Sequence, residues 1–130
     1  PYITKKEVTL MNYTSSSMAK DLLLDRTVAV ELYYADTSWP NLVTEGKVDT
    51  GADGCSIDSG LAEHLSWEVV RHKIIKNAMG KERRPVYRGR VTIRGVEFWM
   101  EATGADRGNL THAILVGHWV IKDLILLEEE

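Results

Sequence analysis

The sequence is poor in the residues that would staple a chain or anchor it. Cys55 is the only cysteine, so no disulfide can form within the chain and no oxidising compartment is implied. A lone cysteine of this kind most simply fills a small apolar space. No apolar run approaches the roughly 18 residues that a membrane-spanning helix needs, and the N-terminal residues lack the charged-then-apolar plan of a signal peptide. The expectation is a cytoplasmic or virion-internal protein with no membrane partner. Charge of one sign is scarce as well. Sixteen Lys and Arg against nineteen Asp and Glu leave a net charge of -3, which offers nucleic acid no global attraction.

Metal and phosphate motifs are missing too. The four histidines, His64, His72, His112 and His118, show no His-Glu-x-x-His spacing, and no cysteine cluster accompanies them. Each reads as a surface or supporting residue. There is no glycine-rich phosphate loop of the Walker type. Neither a metal nor another cofactor is therefore expected.

What is present suits one soluble globular domain. The chain has 130 residues, 44% hydrophobic and 27% charged, enough to bury a single core. Residues 1–24 are polar and irregular, with Ser15, Ser16 and Ser17 in a row, and read as an extended N-terminal arm. Residues 25–130 read as the domain. Thr27, Val28, Val30, Tyr33 and Tyr34 favour a strand over 26–34, followed by a loop over 36–41 and a returning strand over 43–48. A short strand around Ser56 and Ile57 precedes a helix over 59–65 that Ser59 would cap.

Strand character returns at 69–75, and Gly80 sits among charges in a hairpin tip over 77–84 before a strand over 85–93. Val96, Phe98 and Met100 alternate with Glu97, Trp99 and Glu101, the period of a strand with two unlike faces. A loop over 104–111, a short buried strand over 114–116, a helical turn or two over 118–124 and a last strand over 125–127 complete a mostly β domain. Two charge clusters stand out: Lys81, Arg83, Arg84, Arg88, Arg90 and Arg94, and the closing Glu128, Glu129 and Glu130. Both read as solvated surface or, for the basic one, as a place for an acidic substrate.

The chemistry concentrates in Val48-Asp49-Thr50-Gly51-Ala52-Asp53, where an acid leaves an apolar strand into a glycine turn. A strand end holds an acid rigidly, Gly51 permits close backbone approach, and the Thr50 hydroxyl can brace the loop. Alone, these residues also suit an ordinary turn. A second element, Ile114-Leu115-Val116-Gly117 before an amphipathic stretch, strengthens the first.

Together these residues resemble the retropepsin family, in which an Asp-Thr-Gly-Ala loop follows a hairpin and a hydrophobic-hydrophobic-Gly strand precedes a C-terminal helix. The resemblance covers roughly residues 28–127 and implies a single retropepsin-like β-barrel lobe with one or two short helices, completed by homodimerisation. Asp49 would be the catalytic acid, with Thr50, Gly51, Ala52 and Asp53 forming its loop and Ile114, Leu115, Val116 and Gly117 supporting it. Met79 and Gly80 would be the tip of a flap.

Glu82-Arg83-Arg84-Pro85-Val86 and Ala105-Asp106-Arg107-Gly108-Asn109-Leu110 further resemble the bacterial and phage retropepsin-like group labelled ATP-dependent zinc proteases. One branch of that group trims glutamate tails. His118 departs from its usual Arg or Gln. On this likeness Arg83, Arg84 and Arg107 would orient substrate carboxylates. Pro1-Tyr2-Ile3-Thr4 instead resembles the processed start of viral retropepsins, which implies a polyprotein substrate.

Hydrolysis by carboxylates needs one group to take a proton while another gives one, and two carboxylates about 3 Å apart share a proton for that reason. A single Asp-Thr-Gly in one domain leaves the second acid to a symmetry mate, an isologous homodimer. Asp53 is an alternative partner within the chain. The expected partners are a second copy and a peptide or protein substrate. A non-catalytic dimerisation or peptide-binding module on the same scaffold is the rival class.

Overall fold

The computed structural model describes residues 27–129. The expected arm over 1–24 lies outside the described residues. Strand β1 (Thr27–Leu32) turns back as β2 (Leu42–Asp49) in an antiparallel pair. Then follow β3 (Cys55–Asp58), helix α1 (Ser59–His64), β4 (Glu68–Asn77), β5 (Gly80–Ile93), β6 (Val96–Ala105), β7 (Ile114–Gly117) and helix α2 (His118–Glu129).

Among the described residues the strands form a seven-stranded mixed sheet ordered β1-β2-β7-β3-β6-β5-β4, and β1 also pairs with β5. That extra pairing curls the sheet around one core and covers the β1 edge, while β4 remains an exposed edge strand. The interior is filled by alternate residues. On β6, Val96, Phe98, Met100 and Ala102 are buried while the residues between them face outward, as the period-two pattern requires. Val30, Leu32, Ile57, Val91, Ile93, Ile114 and Val116 meet them from other strands. Fully burying a side chain such as Phe98 contributes about 2–3 kcal/mol.

Tight turns hold the ladder in register. Ile93 faces Val96 across a two-residue loop in which Arg94 (φ 52°) and Gly95 (φ 80°) are both left-handed, the twist that a two-residue hairpin prefers. At the other hairpin Asn77 faces Gly80, Asn77 Oδ1 accepts from the Met79 amide at 2.8 Å, and Gly80 has φ 125°.

Four local expectations need correction, the first being the hairpin tip over 77–84: β5 already begins at Gly80, so the turn is the two residues after Asn77. Asp58, not Ser59, caps α1, accepting from the Leu61 amide at 3.1 Å. A carboxylate can serve two donors, and the other oxygen of Asp58 accepts from the Arg107 amide at 2.9 Å. Gly104 and Ala105 still belong to β6 and not to the following loop. The expected strand over 125–127 is helical, because α2 continues to Glu129. Val120, Ile121 and Leu124 recur at helical spacing and are all buried, and Ile125 and Leu127 pack beside them.

Candidate active site

The alternating burial of β2 ends at Asp49, which is half-buried and stands opposite Gly117 in parallel pairing with β7. The chain then turns sharply. The Gly51 amide donates to Asp49 Oδ1 at 3.0 Å and the Ala52 amide to the Asp49 carbonyl at 3.2 Å. One carboxylate oxygen is thereby fixed by the loop's own backbone.

The far side of the loop is fixed by α2. His118 N–H donates to the Ala52 carbonyl at 2.6 Å and Trp119 N–H to the Asp53 carbonyl at 3.0 Å. Amides of the first helical turn lack partners within the helix, so the loop carbonyls satisfy them. Gly117 makes this approach possible. A Cβ there would lie 2.5 Å from the Gly54 carbonyl carbon, closer still to its oxygen, and 3.0 Å from the Ala52 oxygen. The Gly117 amide donates to the buried Cys55 sulfur at 3.4 Å, and burial pushes that thiol up to about 11.

Asp49, Thr50, Gly51, Ala52 and Asp53 are thus brought against Ile114, Leu115, Val116 and Gly117 as one unit. Thr50, Gly51 and Asp53 are exposed on it. Asp53 opens onto a cleft of about 330 Å3 shared with Gly54, Arg71, His72, Lys73, Glu101 and Trp119. Sequence reasoning missed the β4 contribution and Trp119. The signal available for the first was the basic run Arg71-His72-Lys73 in a strand whose hydrophobic residues give it no apolar face.

Met79 and Gly80 sit at the tip of the β4–β5 hairpin, where Met79 is 95% exposed. Of the three expected arginines, Arg83 and Arg84 are neighbours on β5 and Arg107 lies in the loop between β6 and β7. Arg83 is exposed opposite Ile74. Arg84 donates to Glu82 at 2.9 Å, which lowers the Glu82 carboxyl through hydrogen bond and charge together, while its Nε is buried without a partner among the described residues. Arg107 is turned into its own loop, its Nε donating to the His112 carbonyl at 3.0 Å. Among the described residues no group of three or more His, Cys, Asp or Glu is placed to hold a metal ion, and no helix is long and apolar enough to cross a membrane.

No protein-family model matches the sequence, and no curated protein sequence is similar to it. Solved structures are similar. The simian foamy virus protease superposes with a TM-score of 0.57 at 15% identity, covering 76% of this chain and 94% of that one. This is a retropepsin-like fold. The foamy viral protease-reverse transcriptase bound to an RNA/DNA hybrid matches 75% of this chain at a TM-score of 0.51 and 15% identity, through only 12% of its own length. A Legionella pneumophila protein of unknown function matches with a TM-score of 0.50 at 15% identity, over 75% of this chain and 84% of that one. The retropepsin-like lobe therefore also occurs in a protein to which no activity is attached.

Proposed function

We propose that the chain is one subunit of an aspartic endopeptidase in which the Asp49 carboxylates of two copies act on one water. The observation that carries this reading is the placement of Asp49 at the end of β2, opposite Gly117, in a loop locked to α2 within a retropepsin-like fold. In the dimer the two carboxylates hold one proton between them. The ionised one takes a proton from water as the oxygen attacks the peptide carbonyl carbon, and the protonated one gives its proton to the carbonyl oxygen. The tetrahedral intermediate then collapses, the C–N bond breaks, and the amine leaves with a proton from the dyad. Thr50 braces the loops across the axis, and the Met79–Gly80 tip closes over the bound peptide to exclude water.

Two substrate readings have support. A glutamate-rich tail suits the hairpin, where Arg71, Lys73, Lys76, Lys81, Arg83 and Arg84 outnumber Glu68 and Glu82. Arg83 and Arg84 are then the cations that orient carboxylates. Arg107, already tied to His112 and Asp58, shapes its loop first. A viral polyprotein suits the likeness in fold to the foamy virus protease. Both readings put the enzyme in a cytoplasm or a virion interior. Peptides with a poly-glutamate tail and peptides with apolar junctions, offered to the same sample, separate them.

The central experiment is Asp49→Asn, assayed beside a sizing measurement at several concentrations. Activity is expected to fall about a thousandfold while the dimer persists. Unchanged cleavage would remove Asp49 from the mechanism. A wild-type dimer that binds peptides and cleaves none of them would favour the non-catalytic module.

A further inference from the structure

A second cleft, of about 240 Å3, is lined by Tyr33, Tyr34, Trp67, Arg88, Arg90 and Trp99, with Glu68 and Ser66 at its margin. It shares no lining residue with the cleft beside Asp53. The Arg88 guanidinium lies over the Trp99 indole, 4.5 Å from its centroid, and Arg90 lies over the Tyr33 ring at 5.0 Å. Arg90 is ion-paired with Glu97. Arg88 makes no ion pair among the described residues, although the exposed Glu68 is its register partner on β4. A guanidinium stacked on an indole keeps its in-plane N–H edge free, which is the fork that receives a carboxylate.

The walls are built rather than loose. Trp67 Nε1 donates to the Tyr33 carbonyl at 2.8 Å, and Gly89 lies so close beneath the indole that a Cβ there would overlap the ring. Ser66 is held at φ 58°, a left-handed conformation that costs a serine about 1–2 kcal/mol. Beside the guanidinium stacked on it, Trp99 still leaves 43% of its surface in water, a large apolar area at the mouth of the cleft.

The two clefts are joined by one sheet face. Trp99, Glu101 and Thr103 alternate with the buried residues of β6 and so share its outer side, and Thr103 reaches the Asp53 cleft. At about 3.4 Å per residue the interval from Trp99 to Thr103 is about 14 Å, the span of about four residues of extended peptide.

We propose that the Tyr33–Trp67–Arg88–Trp99 cleft is an exosite for an acidic peptide segment, its carboxylate forked by Arg88 and a neighbouring apolar side chain laid against Tyr33, Tyr34 and Trp99. The exosite rests on the peptidase reading only in that the same peptide continues into the Asp53 cleft. Its test is therefore made without turnover. The full-length Asp49→Asn protein is titrated into a fluorescein-labelled peptide of alternating Glu and Leu, and into its Gln-for-Glu counterpart, by anisotropy. The Trp99 indole N–H resonance is followed in parallel.

The Glu peptide is expected to bind about tenfold more tightly than the Gln peptide and to lose about tenfold in Arg88→Lys and in Arg88→Ala. The Trp99 resonance should move with saturation. Equal affinity for the two peptides, indifference to both Arg88 substitutions, or a stationary Trp99 signal overturns the exosite. So does an oligothymidine that displaces the peptide and moves the Trp99 resonance, since the cleft would then belong to single-stranded nucleic acid. Absent cleavage by the wild-type protein with intact peptide binding defeats the peptidase reading and leaves the exosite standing.

Discussion

The end of the sheet that carries Asp49 and the hairpin that carries Met79 are held by opposite means. At Asp49 the loop is clamped from two sides, by its own backbone and by the first amides of α2, over a glycine with no room for a side chain. The hairpin has no such clamp. Every residue of β4 but the half-buried Ile75 is exposed, and the stretch of β5 from Gly80 to Pro85 pairs with β4 alone. A proton-sharing acid tolerates little displacement, whereas a flap must open and close. On the peptidase reading proposed above, backbone clamps would serve the rigid part and a bare ladder the pliant one.

If that division is right, the largest loss of stability comes from Gly117→Ala. The new methyl would meet backbone atoms of Gly54 and Ala52, which cannot swing aside as a side-chain end would. A loss of about 3 kcal/mol in denaturant unfolding is expected, with peptidase activity lost alongside it. Unchanged stability would show that the loop is not clamped.

The next effect is one of pH. The Cys55 thiol under Gly117 is raised by burial from the usual 9.0 to about 11, against a smaller lowering by the Gly117 amide. A group whose folded pKa is raised contributes stability that is complete below pH 9.0 and lost as the pH rises through about 11. Burial, and then the Glu63 carboxylate, raise the Tyr87 phenol in the same direction. Unfolding free energy should fall by about 2–3 kcal/mol across that window, and by less in Cys55→Ala. A flat profile would place the thiol in water.

Asp58→Ala removes the cap of α1 and the acceptor for the Arg107 amide together. A cost of about 1–2 kcal/mol is expected. Because Asp58 faces neither cleft, activity should follow the folded fraction. A fall in activity beyond it would draw the 106–113 loop into the site.

Much of this was legible because the relevant signals are local. The alternation of β6 and the run into Asp49 follow from period and turn chemistry, whereas the pairing of Asp-Thr-Gly with Leu-Val-Gly was legible only through the resemblance to retropepsins. Other features depend on what the fold brings near. Asp58 and Ser59 are both good caps by type, and the distant Arg107 amide favours the acid. The segment Ile125–Leu127 reads as a strand until Val120, Ile121 and Leu124 commit the preceding turns to the core, after which the helix continues. The aromatic cleft was less legible still, since Tyr33, Trp67, Arg88 and Trp99 come from four separate strands or turns.

The smallest stability effect belongs to the hairpin tip. Met79 is 95% exposed and lies against nothing that would register its loss, so Met79→Ser should change unfolding free energy by less than about 0.5 kcal/mol. Its effect on turnover is a separate matter. An apolar tip that closes over a peptide loses contact with the bound chain when it becomes polar, so KM for an apolar-junction or glutamate-tailed substrate should rise about threefold to tenfold while kcat changes less. Equal kinetics in the two proteins would mean that the tip never reaches the peptide. The bare ladder would then be an edge kept soluble by its lysines and arginines, and the pliant half of the comparison would lose its functional meaning.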